Sequence, residues 1–173
     1  MADAEIDGGA ANTNVVPVEA LAPEQLKALT IMQEFCEASG LGATASVRSV
    51  QKPYISIEIN GGDTRNTLGR SGQGLDALQF LLNTVLARKA TADVRLLLDA
   101  EGYRERRADS LRQRAIELAE EVKSRGEEAE LEPLPAHERR IIHSALADDP
   151  DITTYSEGDE PGRRVVIAPR SAH

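Results

Sequence analysis

Along this chain, apolar residues recur every three or four positions in some stretches and every second position in others. Leu26, Leu29, Met32 and Cys36 fall at helical spacing, with Pro23 suited to a first helical position and Gly40 placed where a left-handed cap would end the helix. Val47 and Val50 lie in a weakly alternating run. Ile55-Ser56-Ile57-Glu58-Ile59 then alternates strictly and stops at Asn60-Gly61-Gly62-Asp63, the pattern of a half-buried strand entering a turn. Leu75, Leu78, Leu82, Val85 and Leu86 return to helical spacing and predict a helix to about Lys89, and Val94-Arg95-Leu96-Leu97-Leu98 predicts a further strand. Helices layered on a small sheet, apolar faces inward, satisfy these periods together.

The second half repeats the idea with different parts. Leu111, Ala115, Leu118, Ala119 and Val122 define one face of a helix over residues 103–125, with Gly126 as its terminator. Residues 129–132 suit a short strand, and Pro135 opens a helix carrying Ile141, Ile142, Ala145 and Leu146. Residues 152–155 and 164–168 read as two strands joined by the turn-rich Ser156-Glu157-Gly158-Asp159-Glu160-Pro161-Gly162. The expected class is α+β in two small domains, each with helices on a three-stranded sheet: residues 23–100, then residues 101–173 including the connecting helix. Residues 1–22 are small, polar and without period, and are expected to form a disordered tail.

Composition narrows the chemistry. With 3% aromatic residues and no Trp, the core must be built from aliphatic side chains, and stacking platforms for bases are scarce. The single cysteine, Cys36, cannot form an internal disulfide and sits in an apolar helical pattern, which predicts an inert core thiol. The start of the chain has no basic segment and no long apolar run, so a cytoplasmic protein without membrane insertion is expected. A net charge of −9 argues against a polyanionic partner when taken as a sum. Its distribution argues otherwise, because acidic residues gather near residues 3–7, 127–132 and 148–151, whereas arginines cluster at 104–107, 112–114, 139–140 and 163–164.

Two short words carry candidate chemistry. Gly69-Arg70-Ser71-Gly72 precedes the helix that starts near Gln73. Glycines let backbone approach a sugar-phosphate closely, and the free amide groups and positive dipole end of a helix favour an anion. A turn before a helix explains the same glycines without any ligand. The word lacks the Gly-Lys-Ser/Thr ending of a nucleotide-binding P-loop. Arg139 and His143, within Glu138-Arg139-Arg140-Ile141-Ile142-His143, are four apart and therefore one turn apart on one helical face, able to reach one phosphate together. The alternative is that His143 bonds internally while Arg139 pairs with Glu138, Asp148 or another carboxylate. Arg104 and Arg107 share a face and could form a phosphate track, or Arg107 could pair with Asp99 or Glu101.

At these residues the sequence resembles a known family. The run from Leu68-Gly69-Arg70-Ser71-Gly72-Gln73-Gly74-Leu75 to Asp76-Ala77-Leu78-Gln79-Phe80-Leu81 is similar to the KH segment of the bacterial Jag/KhpB (SpoIIIJ-associated) proteins. Asp99, Tyr103-Arg104-Glu105-Arg106-Arg107, Leu111, Pro133, Glu138-Arg139-Arg140-Ile141-Ile142-His143, Thr154, Ser156-Glu157-Gly158 and Arg164-Val165-Val166-Ile167 follow that family's order. The resemblance covers roughly residues 23–170. It implies a KH domain, whose glycine loop clamps about four backbone nucleotides, followed by a module named for its Arg-x-x-x-His word, the R-3-H domain. It further implies binding of single-stranded RNA, with single-stranded DNA as an alternative ligand, no catalysis and no cofactor. The residues carried over as nucleic-acid contacts are Gly69, Arg70, Ser71, Gly72, Gln73, Arg104, Arg107, Arg139, Arg140 and His143. Two departures stand out: Gly74 replaces a common threonine, and Leu134 replaces a usual methionine. Longer members carry a further N-terminal domain, in whose place a short tail is expected here.

The family resemblance also implies post-transcriptional regulation linked to cell shape or division. The competing class is a protein-interaction adaptor acting with a small KH-domain protein or a membrane-insertion factor. Catalysis fits poorly, because Ser71, His143 and an aspartate have no strand-to-helix nucleophile elbow to unite them. His137 and His143 are six apart, on different helix faces, with no ligand set to complete a metal site.

Overall fold

The computed structural model describes residues 15–62, 64, 69–89 and 94–170. The chain divides into two compact units between Tyr103 and Arg104, and the α+β class expected from the periodicities is present in both.

In the first unit, α1 (Pro23–Ser39) begins with Pro23 and ends at Gly40 in the left-handed region (φ 68°), as the sequence predicts. Gln25 completes the start: its Oε1 accepts the Ala22 N–H at 2.9 Å, satisfying a donor at the helix entrance. Strands β1 (Thr44–Gln51) and β2 (Tyr54–Asn60) are antiparallel, and β3 (Arg95–Ala100) lies parallel to β2, giving the order β1-β2-β3. Between β2 and β3 runs α2 (Gln73–Lys89). Met32, Ile55, Ile57, Ile59, Leu75, Leu86, Leu96 and Leu98 are all but fully buried where the helices meet the sheet. Cys36 is buried there too, and burial raises its thiol pKa above the usual value, with the Glu37 charge adding to the effect.

Each edge strand of this sheet has hydrogen-bond partners from outside the sheet. On the β1 side, the Val16 N–H donates to the Val47 carbonyl at 2.8 Å, and Val16 and Leu21 pack against the core. The expectation of a disordered tail is therefore corrected for residues 15–22, which include a 3-10 turn, Val18–Ala20. Isolated valines and a leucine find an unpaired strand edge there, which local periodicity does not reveal. Residues 1–14 lie outside the described residues. On the β3 side, α2 supplies side-chain amides in place of a strand. Asn83 Oδ1 accepts the Leu96 N–H at 2.8 Å, Asn83 Nδ2 donates to the Leu96 carbonyl at 2.9 Å, and Gln79 Oε1 accepts the Leu98 N–H at 2.8 Å. Edge groups left open invite pairing with another chain, and these amides occupy them.

The helix α3 (Tyr103–Arg125) starts on the last residue of the first unit, and in the second unit it buries Leu111, Ala115, Leu118, Ala119 and Val122, the face expected from spacing. Gly126, at φ 70°, closes it by donating its N–H to the Val122 carbonyl at 2.8 Å. A three-stranded antiparallel sheet follows in the order β4-β6-β5, formed by β4 (Ala129–Glu130), β5 (Ile152–Glu157) and β6 (Arg164–Pro169), with α4 (Ala136–Ala145) preceding β5. Leu134, Ile142, Leu146, Ile152, Val165 and Ile167 complete the core with the α3 face.

Candidate nucleic-acid interface

The glycine word occupies the turn into α2. Gly69 (φ 62°), Ser71 (φ 53°, ψ 31°) and Gly72 (φ 76°) all lie in the left-handed region, and Arg70–Gly72 form a single 3-10 turn. Three left-handed residues within four positions explain the glycines, and Ser71 holds a conformation uncommon for a residue with a side chain. Gly69, Ser71 and Gln73 are exposed. Arg70 is described through its backbone, and Leu68 lies outside the described residues.

The two loop glycines serve different ends. A Cβ on Gly69 would stand 3.1 Å from the Gly74 amide nitrogen, so Gly69 lets the turn close tightly on the helix start. A Cβ on Gly72 would stand 2.6 Å from Cε1 of Tyr103, whose ring packs against the first core. Gly72 is thus required by the interior, whereas the backbone from Gly69 to Ser71 is the part presented outward. Asp76, in the first turn of α2, adds the carboxylate usual near the positive end of a helix.

The Arg-x-x-x-His word lies on α4, with Arg139 buried and His143 half-buried. Arg139 is 8% exposed; its Nη1 donates to the Leu134 carbonyl at 2.6 Å and its Nη2 to Glu160 at 2.7 Å. It thereby ties α4 to the segment before it and to the loop between β5 and β6. His143 sits at hydrogen-bond distance from two hydroxyls of β5: Nδ1 is 2.7 Å from Thr154 Oγ1 and Nε2 is 2.9 Å from Ser156 Oγ. A neutral ring suits this pair, donating through one nitrogen and accepting through the other. Burial lowers the His143 pKa below its usual value, and the Arg139 charge lowers it further. Beside the expectation that Arg139 and His143 reach one phosphate together, both terminal nitrogens of Arg139 and both ring nitrogens of His143 have partners within the chain.

Arg107 has a comparable fate. Its Nε and Nη2 form a two-pronged contact with Glu138, at 2.8 and 3.1 Å, and the Glu138 side chain is only 4% exposed. Glu138, a carboxylate on α4, is thus a partner of Arg107, and this pair clamps α3 to α4. Arg104 is half-buried in the first turn of α3. Arg140 is exposed, 100° around α4 from its signature neighbour, and has no partner among the described residues.

Sequence reasoning quoted Thr154 and Ser156 in the family's order but gave them no part in these contacts. Thr154 and Ser156 alternate along β5 and so share a face, a period-two signal that could have flagged them as a pair. Glu160 sits in a turn-rich loop where nothing local points to Arg139, and Gln79 and Asn83 look like ordinary polar positions of an amphipathic helix. Among the described residues, no group of three or more His, Cys, Asp or Glu side chains is placed to hold a metal ion, and no helix is long and apolar enough to cross a membrane.

Comparison with known proteins agrees with this architecture. The R-3-H domain model matches residues 109–169, which span most of α3 through β6. A protein of Clostridium symbiosum named RNA-binding protein KhpB is 35% identical over 145 residues, covering 83% of this chain and 65% of that protein. Its namesake in Lactiplantibacillus plantarum is 35% identical over 131 residues, covering 75% of this chain and 41% of that protein. The namesake in Bacillus subtilis is 34% identical over 153 residues, covering 87% of this chain and 73% of that protein. The chain thus spans just under two thirds of the first of these relatives and well under half of the second. With an R-3-H domain in its second unit and KhpB relatives aligned across most of its length, the chain belongs to the KhpB (Jag) family.

Proposed function

We propose that this protein binds single-stranded RNA, with single-stranded DNA as an alternative ligand, and that the turn at Gly69–Gly72 is its principal grip on the sugar-phosphate backbone. The observation that carries this reading is the left-handed, exposed turn at the head of α2. Gly69 and Ser71 offer backbone unshielded by bulky side chains, and the positive dipole end of α2 favours a phosphate. The KH-like arrangement, the R-3-H match and the name of the relatives support it. A second binding unit on the same chain raises avidity through tethering, which offsets the acidic net charge. On this reading the protein is a non-enzymatic post-transcriptional regulator acting in the cytoplasm, with cell shape or division as the process it serves.

The test is the Arg70→Asp/Ser71→Asp variant. Asp tolerates a left-handed backbone better than most residues, so the turn is expected to keep its shape while its two new charges repel phosphate. Fluorescence anisotropy with labelled single-stranded RNA should show salt-sensitive binding by the wild type and its loss in the variant. Equal affinity in both would sink the proposal.

One observation favours a second reading, an adaptor for a small KH-domain protein. Phe80 is 72% exposed and Leu81 59% exposed on α2, more than solvent contact alone favours. Binding through such a face would persist at high salt, whereas phosphate binding would not.

A further inference from the structure

We propose that the second unit holds RNA through a groove between α3 and α4 lined by Arg112, Arg140, Ile141, Ser144 and Ala145, and not through the signature pair Arg139 and His143. This rests on the RNA-binding reading and assigns its second contact site. The groove has a volume of about 290 Å³. Arg140 and Ser144 are one turn apart on α4 and both exposed, and among the described residues neither the Arg140 guanidinium nor the Ser144 hydroxyl has a partner. Arg112 faces them from α3. It pairs with Asp109, three residues back at 2.5 Å, and both side chains of that pair are more than half exposed. Such pairs hold weakly in water and yield readily to a competing anion.

The chemistry of the lining defines the ligand. Two guanidinium groups and a hydroxyl offer donors to a phosphodiester, and a guanidinium fork suits phosphate oxygens. Ile141 and Ala145 supply a small apolar floor against which a ribose can lie. The lining holds no aromatic ring and no amide side chain, so it has nothing to stack on a base or read its edge. The groove therefore grips backbone without regard to sequence. The inward face of α4 fixes the helix: Arg139 and His143 anchor it to the loop and to β5, and that anchoring sets Arg140 and Ser144 outward.

The experiment compares wild type, Arg112→Gln/Arg140→Gln and Asp109→Asn for binding of a short labelled single-stranded RNA of random sequence across a salt series. Gln retains helix propensity and the replaced arginines are exposed, so the fold is expected to persist, which circular dichroism verifies. The double variant should bind roughly tenfold more weakly at low salt. Its slope of log affinity against log salt should become shallower by about 0.7 for each phosphate that the groove no longer neutralises. Asp109→Asn frees Arg112 and should tighten binding by about twofold to fivefold. If wild type binds RNA, the glycine-turn variant abolishes binding and the groove variants change nothing, the groove assignment is overturned and the RNA-binding reading stands. If wild type binds no RNA at low salt, both fall.

Discussion

The glycine turn of the first unit and the Arg-x-x-x-His helix of the second are both short words that single out a site in the sequence, yet they are used in opposite senses. At the turn, Gly69 and Ser71 face outward and only Gly72 is held against the core, beneath the Tyr103 ring. On α4, Arg139 and His143 spend their polar atoms on a carbonyl, a carboxylate and two hydroxyls of their own chain. A pair of residues at i and i+4 fixes which side chains share a helical face, but not whether that face looks out or in. That is decided by the sheet packed against it. The neighbouring face of α4, with Arg140 and Ser144, is the one left outward.

The sharpest way to break this contrast is to disturb the clamp behind α4. Arg107→Ala strands the buried Glu138 carboxylate, and losing one partner of a buried pair costs about 3–5 kcal/mol. Urea denaturation followed by circular dichroism should register that loss; a change below about 1 kcal/mol, with weakened RNA binding, would return Arg107 to the role of a phosphate contact. Next in size is Gly72→Ala. Its methyl meets the Tyr103 ring and its positive φ disfavours any side chain, so a loss of about 1–3 kcal/mol is expected in the same assay. An unchanged denaturation midpoint would mean that the interior does not require Gly72, and would move it to the ligand role proposed for the outward part of the turn.

A smaller effect comes with pH. The folded His143 pKa is depressed, so the unfolded chain takes up a proton more readily than the folded one below about pH 6.5. The contribution of His143 to stability is fully present above that pH and is lost as pH falls toward the folded pKa. Denaturation midpoints measured across this range should decline on acidification, and His143→Gln should flatten that decline; an identical slope in the variant would remove His143 as the cause. Smallest of all, Ser71→Asp should alter stability by no more than about 0.5 kcal/mol, because it is a surface change at a backbone conformation that aspartate tolerates. A larger loss would show that the turn is as much a part of the interior as Arg139 is.

Several of these assignments were legible in the residues alone. The buried face of α3 follows its spacing residue by residue, because the positions between are strongly polar. On α2 the apolar residues outnumber the places in the core, and spacing could not say that Val85 would be left 37% exposed while Leu86 is buried. Contacts between distant residues were the least readable. Arg107 finds Glu138, 31 positions away, and Arg139 finds Glu160, 21 positions away, because α4 and its flanking loops bring them together. The same holds for Val16 at the edge of β1 and for Asn83 at the edge of β3, each a local residue answering a tertiary need.

The most direct measurement is an NMR titration of the His143 imidazole in the free protein and in the presence of saturating single-stranded RNA. A scaffold role predicts a midpoint below about 6.5 that stays below it when RNA is bound, since the ring is held by Thr154 and Ser156. A midpoint driven above that value by RNA would show a phosphate stabilising the imidazolium, and would place the signature pair in the contact surface after all.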